Sequence, residues 1–212
     1  MDFAELDEAA SAAVRAAVEE AERESGAELV PVLAATSDGY AVADARAAFA
    51  GAVAGAAISP WLAAAFAWGV PAWLPAAAAL AGAVAARLLT LIPGVRRALA
   101  GAAELDRRVD AAAGAEFLRH EVFRTRDRSG ILIYVTLFER RVRVVADEGV
   151  YRAVPRPAWE ELAAAVAADM RRRGAGEALL DAVRRAAALV VEHGPRRRDD
   201  DRNELPDAPV AR

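Results

Sequence analysis

Apolar positions recur at helical spacing from the first residues: Phe3, Leu6, Ala10, Ala13, Val14, Ala17, Val18 and Ala21 fall on one face. Asp2 and Glu5 form a capping box ahead of that run, with Asp in the Ser/Thr role. Ser25-Gly26 ends it, Gly serving as the left-handed stop. Residues 28–36 are few and mostly apolar, which predicts a strand. Pro31 has no N–H for a ladder, so an edge strand or a bulge is expected. Ser37-Asp38-Gly39-Tyr40 follows, with Asp38 able to cap the next helix.

The pattern then loses its polar half. Residues 47–86 are 40 positions without a charged side chain, between Arg46 and Arg87. One membrane span needs about 20 apolar residues, so this run has the length for two. Gly69, Pro71 and Pro75 interrupt its middle, where a helical hairpin would turn. Spans are expected over residues 47–67 and 73–92. Trp61, Trp68 and Trp73 gather around the turn, as an aromatic belt would. Gly51 and Gly55 form a small-xxx-small pair that lets helices approach closely. Half of the run is Ala, so an Ala-rich helical pair buried in a soluble protein is the competing interpretation.

Beyond the hairpin, Pro93-Gly94 breaks the chain. Leu105, Val109, Ala113 and Phe117 predict an amphipathic helix over residues 95–122. Residues 130–138 are apolar on both faces, as in a central buried strand. Residues 141–147 alternate Arg and Val after the Glu139-Arg140 turn, which predicts an antiparallel neighbour with one wet face. Helices are expected over residues 156–173, carrying Trp159, Leu162, Val166 and Met170, and over a last stretch carrying Leu179, Val183 and Val190. Residues 195–212 are charged and Pro-containing and are expected to be a disordered tail.

The fold class that follows is α/β: a small mixed sheet of three to four strands with helices on both faces. A transmembrane helical hairpin (residues 47–93) interrupts a single discontinuous domain made of residues 1–46 and 94–194. The first and central strands are joined by a crossover, which makes them parallel.

Composition narrows the chemistry. There is no Cys and all 27 basic residues are Arg, so thiolate chemistry, disulfides and lysine Schiff bases are excluded. Residues 1–46 hold 11 acids and three Arg; residues 87–212 hold 24 Arg and 20 acids. The Arg clusters sit at helix ends and beside the apolar run rather than on a continuous basic face with aromatics, so no nucleic-acid partner is expected. By the positive-inside rule, Arg46 on one flank with Arg87, Arg96, Arg97 and Arg107 on the other put both flanks in the cytoplasm. The chain opens with no basic n-region and no apolar h-region, so no cleavable signal peptide is expected. The expected location is the inner membrane, with two helices and both termini cytoplasmic.

Strand direction sorts the polar residues into two groups. Asp38 and the Glu139-Arg140 turn share one sheet edge. The opposite edge collects Glu28, Arg126, Asp127, Asp147 and Glu148. Asp127 and Asp147 beside Gly130 and Gly149 could hold a hard cation, Ca²⁺ or Mg²⁺, through oxygen ligands, with Glu148 alongside. The alternative is that these are solvated turn residues forming ion pairs. Glu116 and His120 are an i, i+4 pair with metal-ligand or merely structural use. No Gly-x-Ser-x-Gly, His-Glu-x-x-His or phosphate-binding Gly loop occurs.

Residues 22–32, Ser37-Asp38-Gly39-Tyr40 and residues 125–149 together resemble the TPM domain. That family includes thylakoid-lumen photosystem II repair proteins, a nematode acetylcholine-receptor modulator and many bacterial membrane proteins. The resemblance covers nearly all of residues 3–193 except the hairpin and is strongest to a bacterial subgroup with a membrane hairpin inside the domain. It implies an α/β/α sandwich. Some plant relatives are described as acid phosphatases, with acidic sheet-edge residues as suspected metal ligands; Asp127 and Asp147 hold comparable positions here. The functional expectation is a membrane-anchored cytoplasmic interaction or assembly module, partnered by the lipid bilayer and a membrane protein, without a catalytic set. The second expectation is a divalent-metal-dependent phosphatase.

Overall fold

The computed structural model describes residues 8–65, 71–173, 175–194 and 204–211. In order, its elements are α1 (Glu8–Glu24), β1 (Glu28–Ala34), α2 (Ala41–Ala65), α3 (Leu74–Leu89), α4 (Pro93–Ala100), α5 (Ala102–Arg119), β2 (Gly130–Thr136), β3 (Arg141–Ala146), α6 (Glu148–Ala153), α7 (Arg156–Arg173), α8 (Ala175–His193) and β4 (Val210–Ala211). They fall into two compact units, residues 1–38 with 106–212, and residues 39–105.

The first unit is built on a four-stranded mixed sheet in the order β3-β2-β1-β4. β1 and β2 pair in parallel from Glu28↔Gly130 to Ala34↔Thr136. β2 and β3 pair antiparallel from Ile131↔Ala146 to Thr136↔Arg141. Side chains alternate across a strand, so each strand feeds two cores. Leu29, Leu33, Ile131, Ile133, Val135 and Val142 meet the apolar faces of α1, α7 and α8. Val30, Val32, Leu132 and Tyr134 meet Val109 and Ala113 of α5 together with Val122. Every residue of β1 and β2 is therefore buried, which is why neither shows a polar alternation. In β3, Arg141 and Arg143 turn to α5: Arg141 pairs with Asp106, and Arg143 with Asp106 and Asp110.

Three expectations are corrected. The helix anticipated over residues 95–122 is two helices, α4 and α5. Gly101 separates them at φ 80°, a backbone conformation that favours glycine. The tail anticipated as disordered returns to the sheet in its described part: Val32↔Val210 and Leu33↔Ala211 pair in parallel, and Leu205 and Val210 pack on the α5-side core. β1 is consequently an interior strand, not an edge. Pro31 is tolerated because β4 reaches only the next two residues. Residues 195–203 of that tail lie outside the described residues.

The second unit contains the expected helical pair. Gly51 packs on Gly82 and Ala86, and Gly55 on Ala78, so the two helices run antiparallel. A Cβ on Gly51, Gly55 or Gly82 would collide with backbone of the facing helix, so only glycine permits this approach. Pro60 lies inside α2 and cannot bond the carbonyl four residues back. The hydroxyl of Ser59 donates to that carbonyl, Ala56 O, at 2.8 Å. Among the described residues, one helix, Ala41–Leu62, is long and apolar enough to cross a membrane by itself, and it is mostly exposed. The second expected span is shorter. α3 has 16 residues, reaches the length of a span only together with α4, and is bent from α4 by 104°. Of the expected turn, Gly69 and Val70 lie outside the described residues, as does Trp68; Trp61 and Trp73 are exposed.

Gly82→Leu tests the close approach. Forcing a side chain into this seam should destabilise the unit by about 1–3 kcal/mol, read as a lowered unfolding midpoint in detergent.

Candidate functional site at the two sheet edges

At the C-terminal ends of β1 and β2, Glu139 is buried although it lies in a turn. Its Oε1 accepts from Ser37 N at 2.8 Å and from Thr36 Oγ1 at 3.2 Å. Sequence reasoning placed Glu139 in the turn and missed this role, which depends on a contact 102 positions away. The Asp38 carboxylate, expected as a helix cap, meets Arg108 at 2.7 Å. Ser37 Oγ lies 3.3 Å from the Tyr134 hydroxyl. The edge is thus a set of polar locks between the β1 exit, the β2–β3 turn and α5.

At the opposite edge the expected residues do assemble, and each is engaged. Asp147 caps α6, accepting from Glu148 N at 2.8 Å, and its other oxygen is 2.9 Å from Arg128 Nε. Arg128 sits at φ 55°, a left-handed turn that also brings its carbonyl to Gly149 N at 2.9 Å. A Cβ at Gly149 would run into the Asp127 and Arg128 carbonyls, so the turn requires glycine there. Asp127 is half-exposed and 3.8 Å from Arg126. Glu148 pairs with Arg152 one turn along α6. Among the described residues, no group of three or more His, Asp or Glu gathers as a metal site. Glu116 and His120 do meet, at 3.3 Å, with Arg119 at 3.0 Å from the same carboxylate.

The returning tail supplies what the sequence did not announce. Glu28 accepts from the backbone N–H groups of Glu204 and Leu205, both at 3.3 Å. Glu204 in turn accepts from Arg126 N at 2.9 Å. Glu28 and the Arg126 backbone therefore meet the tail. Next to them, Glu22 accepts from Leu29 N at 3.1 Å. Burial, with Glu28 and Asp207 close by, raises the Glu22 pKa to about 8, against an opposing contribution from the Leu29 bond. A signal existed in retrospect: Leu205 and Val210 are large apolar residues in a charged, proline-containing tail.

No family model and no curated protein matches this chain. Among solved structures, it is similar to the NMR structure of BA42 protein from the psychrophilic bacterium Bizionia argentinensis. The two share 15% identity and a TM-score of 0.57, over 97% of this chain and 94% of that one. At that identity the likeness establishes the mixed α/β fold alone.

The docking of the tail carries a pH dependence. Glu22 is favoured in its neutral form when folded, so its contribution is complete below pH 4.5 and is lost as pH rises through about 8. Wild-type stability should fall between pH 5 and pH 9 relative to Glu22→Gln, which keeps an acceptor for Leu29 N and cannot ionise. Unfolding midpoints of the two proteins across that range check it. Glu28→Ala should loosen the tail by about 1.5–3 kcal/mol, read as faster amide exchange in β4.

Proposed function

We propose that this chain is a membrane-anchored cytoplasmic interaction or assembly module of the TPM-domain kind. One observation carries the proposal: the α2–α3 pair buries little besides its own small-residue seam. Phe49, Val53, Trp61, Leu80, Val84 and Leu88 all stand exposed around it. An exposed apolar surface of this extent calls for a covering partner, and lipid covers every side of the pair at once. The closed backbone at Pro60, where Ser59 takes the released carbonyl, also suits a solvent that offers no hydrogen bonds. The absence of charge between Arg46 and Arg87 supports both helices as the anchor, with the basic flanks cytoplasmic.

The bilayer is one partner under this proposal. A membrane protein is the other, recruited by the sheet-bearing unit. The edge geometry does not favour a metal-dependent phosphatase over this function, because Asp127, Asp147 and Glu148 each face an arginine.

Expressed in a bacterium, the chain should stay in the membrane pellet through alkaline carbonate washing, and reporters fused at either terminus should read cytoplasmic. Release into the carbonate supernatant would defeat the anchor. A periplasmic reading at one terminus would defeat the two-helix topology.

A further inference from the structure

We propose that α4 is an interfacial foot, lying in the headgroup–acyl boundary of a phospholipid surface with Ile92, Val95 and Leu99 turned into the acyl side. The inference rests on the membrane-anchor proposal above and adds where the anchor ends. Ile92, Val95 and Leu99 are spaced three and four apart and so share one face of the helix and its cap. Ile92 and Leu99 are 54% and 42% exposed, and the preceding Leu91 is 67% exposed. That apolar face is continuous with Leu88 and Leu89 at the end of α3, both also exposed. The lipid that covers α3 therefore meets no polar gap before α4 begins.

The bend decides the orientation. α4 leaves α3 at 104°, so when α3 runs along the bilayer normal α4 runs close to the membrane plane. A helix in that position with one apolar face is the interfacial kind. The bend is held rather than free. Arg96 of α4 bonds both carboxylate oxygens of Asp44 on α2, at 3.1 and 2.8 Å, and also reaches the Gly39 carbonyl. Arg87 of α3 joins the same carboxylate at 3.3 Å. Three helices are thus clamped at one buried acid; Arg96, which borders the same face, is held in the clamp, while Ile92 and Leu99 stay exposed and Val95 is half-buried.

The chain has no Cys, so single-cysteine spin labels report depth without background. Leu99→Cys and Leu80→Cys, both exposed positions, would be labelled in the full chain in vesicles of phosphatidylcholine with phosphatidylglycerol. Power saturation with oxygen and a nickel chelate then gives depth. The proposal expects the Leu80 label deep in the hydrocarbon and the Leu99 label shallow, roughly 5–10 Å into the boundary. A deep Leu80 label with a fully aqueous Leu99 label overturns the foot and leaves the anchor standing. Equal depth for both labels also overturns it, since α3 and α4 would then form one span. An aqueous Leu80 label removes the anchor and the foot together.

Discussion

The parallel pairing of β1 with β2 is the constraint on which the rest of this molecule depends. Seven registered pairs, from Glu28↔Gly130 to Ala34↔Thr136, fix the two strands side by side and pointing the same way. Parallel neighbours cannot be joined by a tight turn, so the chain must leave the end of β1 and return to the start of β2. An ordinary crossover does this with one helix. Here the segment carries four, α2 to α5, and only α5 supplies residues to the sheet's second core. The α2–α3 pair is extra length in the crossover, and it needs a surface of its own to cover its apolar flanks.

Local patterning made much of this legible. β2 announced itself because burial on both faces leaves no polar position in Ile131 to Val135, and β3 because Arg and Val alternate. The helical pair was visible as a charge-free run. What stayed hidden was set by distant contacts. Nothing local to Glu139 says that its carboxylate will hold Ser37 N. The tail was misjudged because its charge and prolines suggest disorder, while two apolar residues, Leu205 and Val210, are enough to dock it when Glu28 receives its backbone. The break at Gly101 was overridden by a helical period that continues in projection across it.

The candidate metal edge shows the same division. Strand direction correctly gathers Glu28, Arg126, Asp127, Asp147 and Glu148 at one end of the sheet. It does not say how they are used. In a chain whose cations are all Arg, each carboxylate finds a guanidinium or a backbone N–H close by: Arg128 and a helix N-terminus for Asp147, Arg152 for Glu148, the tail for Glu28. Such partners occupy the carboxylate oxygens, and a cation would have to displace them to bind. Proximity of acids in a fold is therefore weaker evidence for a metal than the absence of competing donors around them.

Asp44 extends this argument to the hairpin. An acid in the first turn of an apolar helix, only 7% exposed, would be costly without compensation. Arg87 and Arg96 reach it from two other helices, and Thr90, which accepts from Arg87 at 2.9 Å, closes the cluster. The opposite end of the pair carries Trp61 and Trp73, both exposed, and no ion pair among the described residues. The two ends thus differ in kind: one is a fixed ionic clamp, the other an aromatic fringe. Under the proposed membrane anchoring, lipid would solvate these ends differently, because the clamp needs high dielectric around its exposed Arg87 while indole rings are stable at the headgroup level. The same proposal gives the antiparallel pair a preferred direction of entry, set by where Asp44 keeps its arginines.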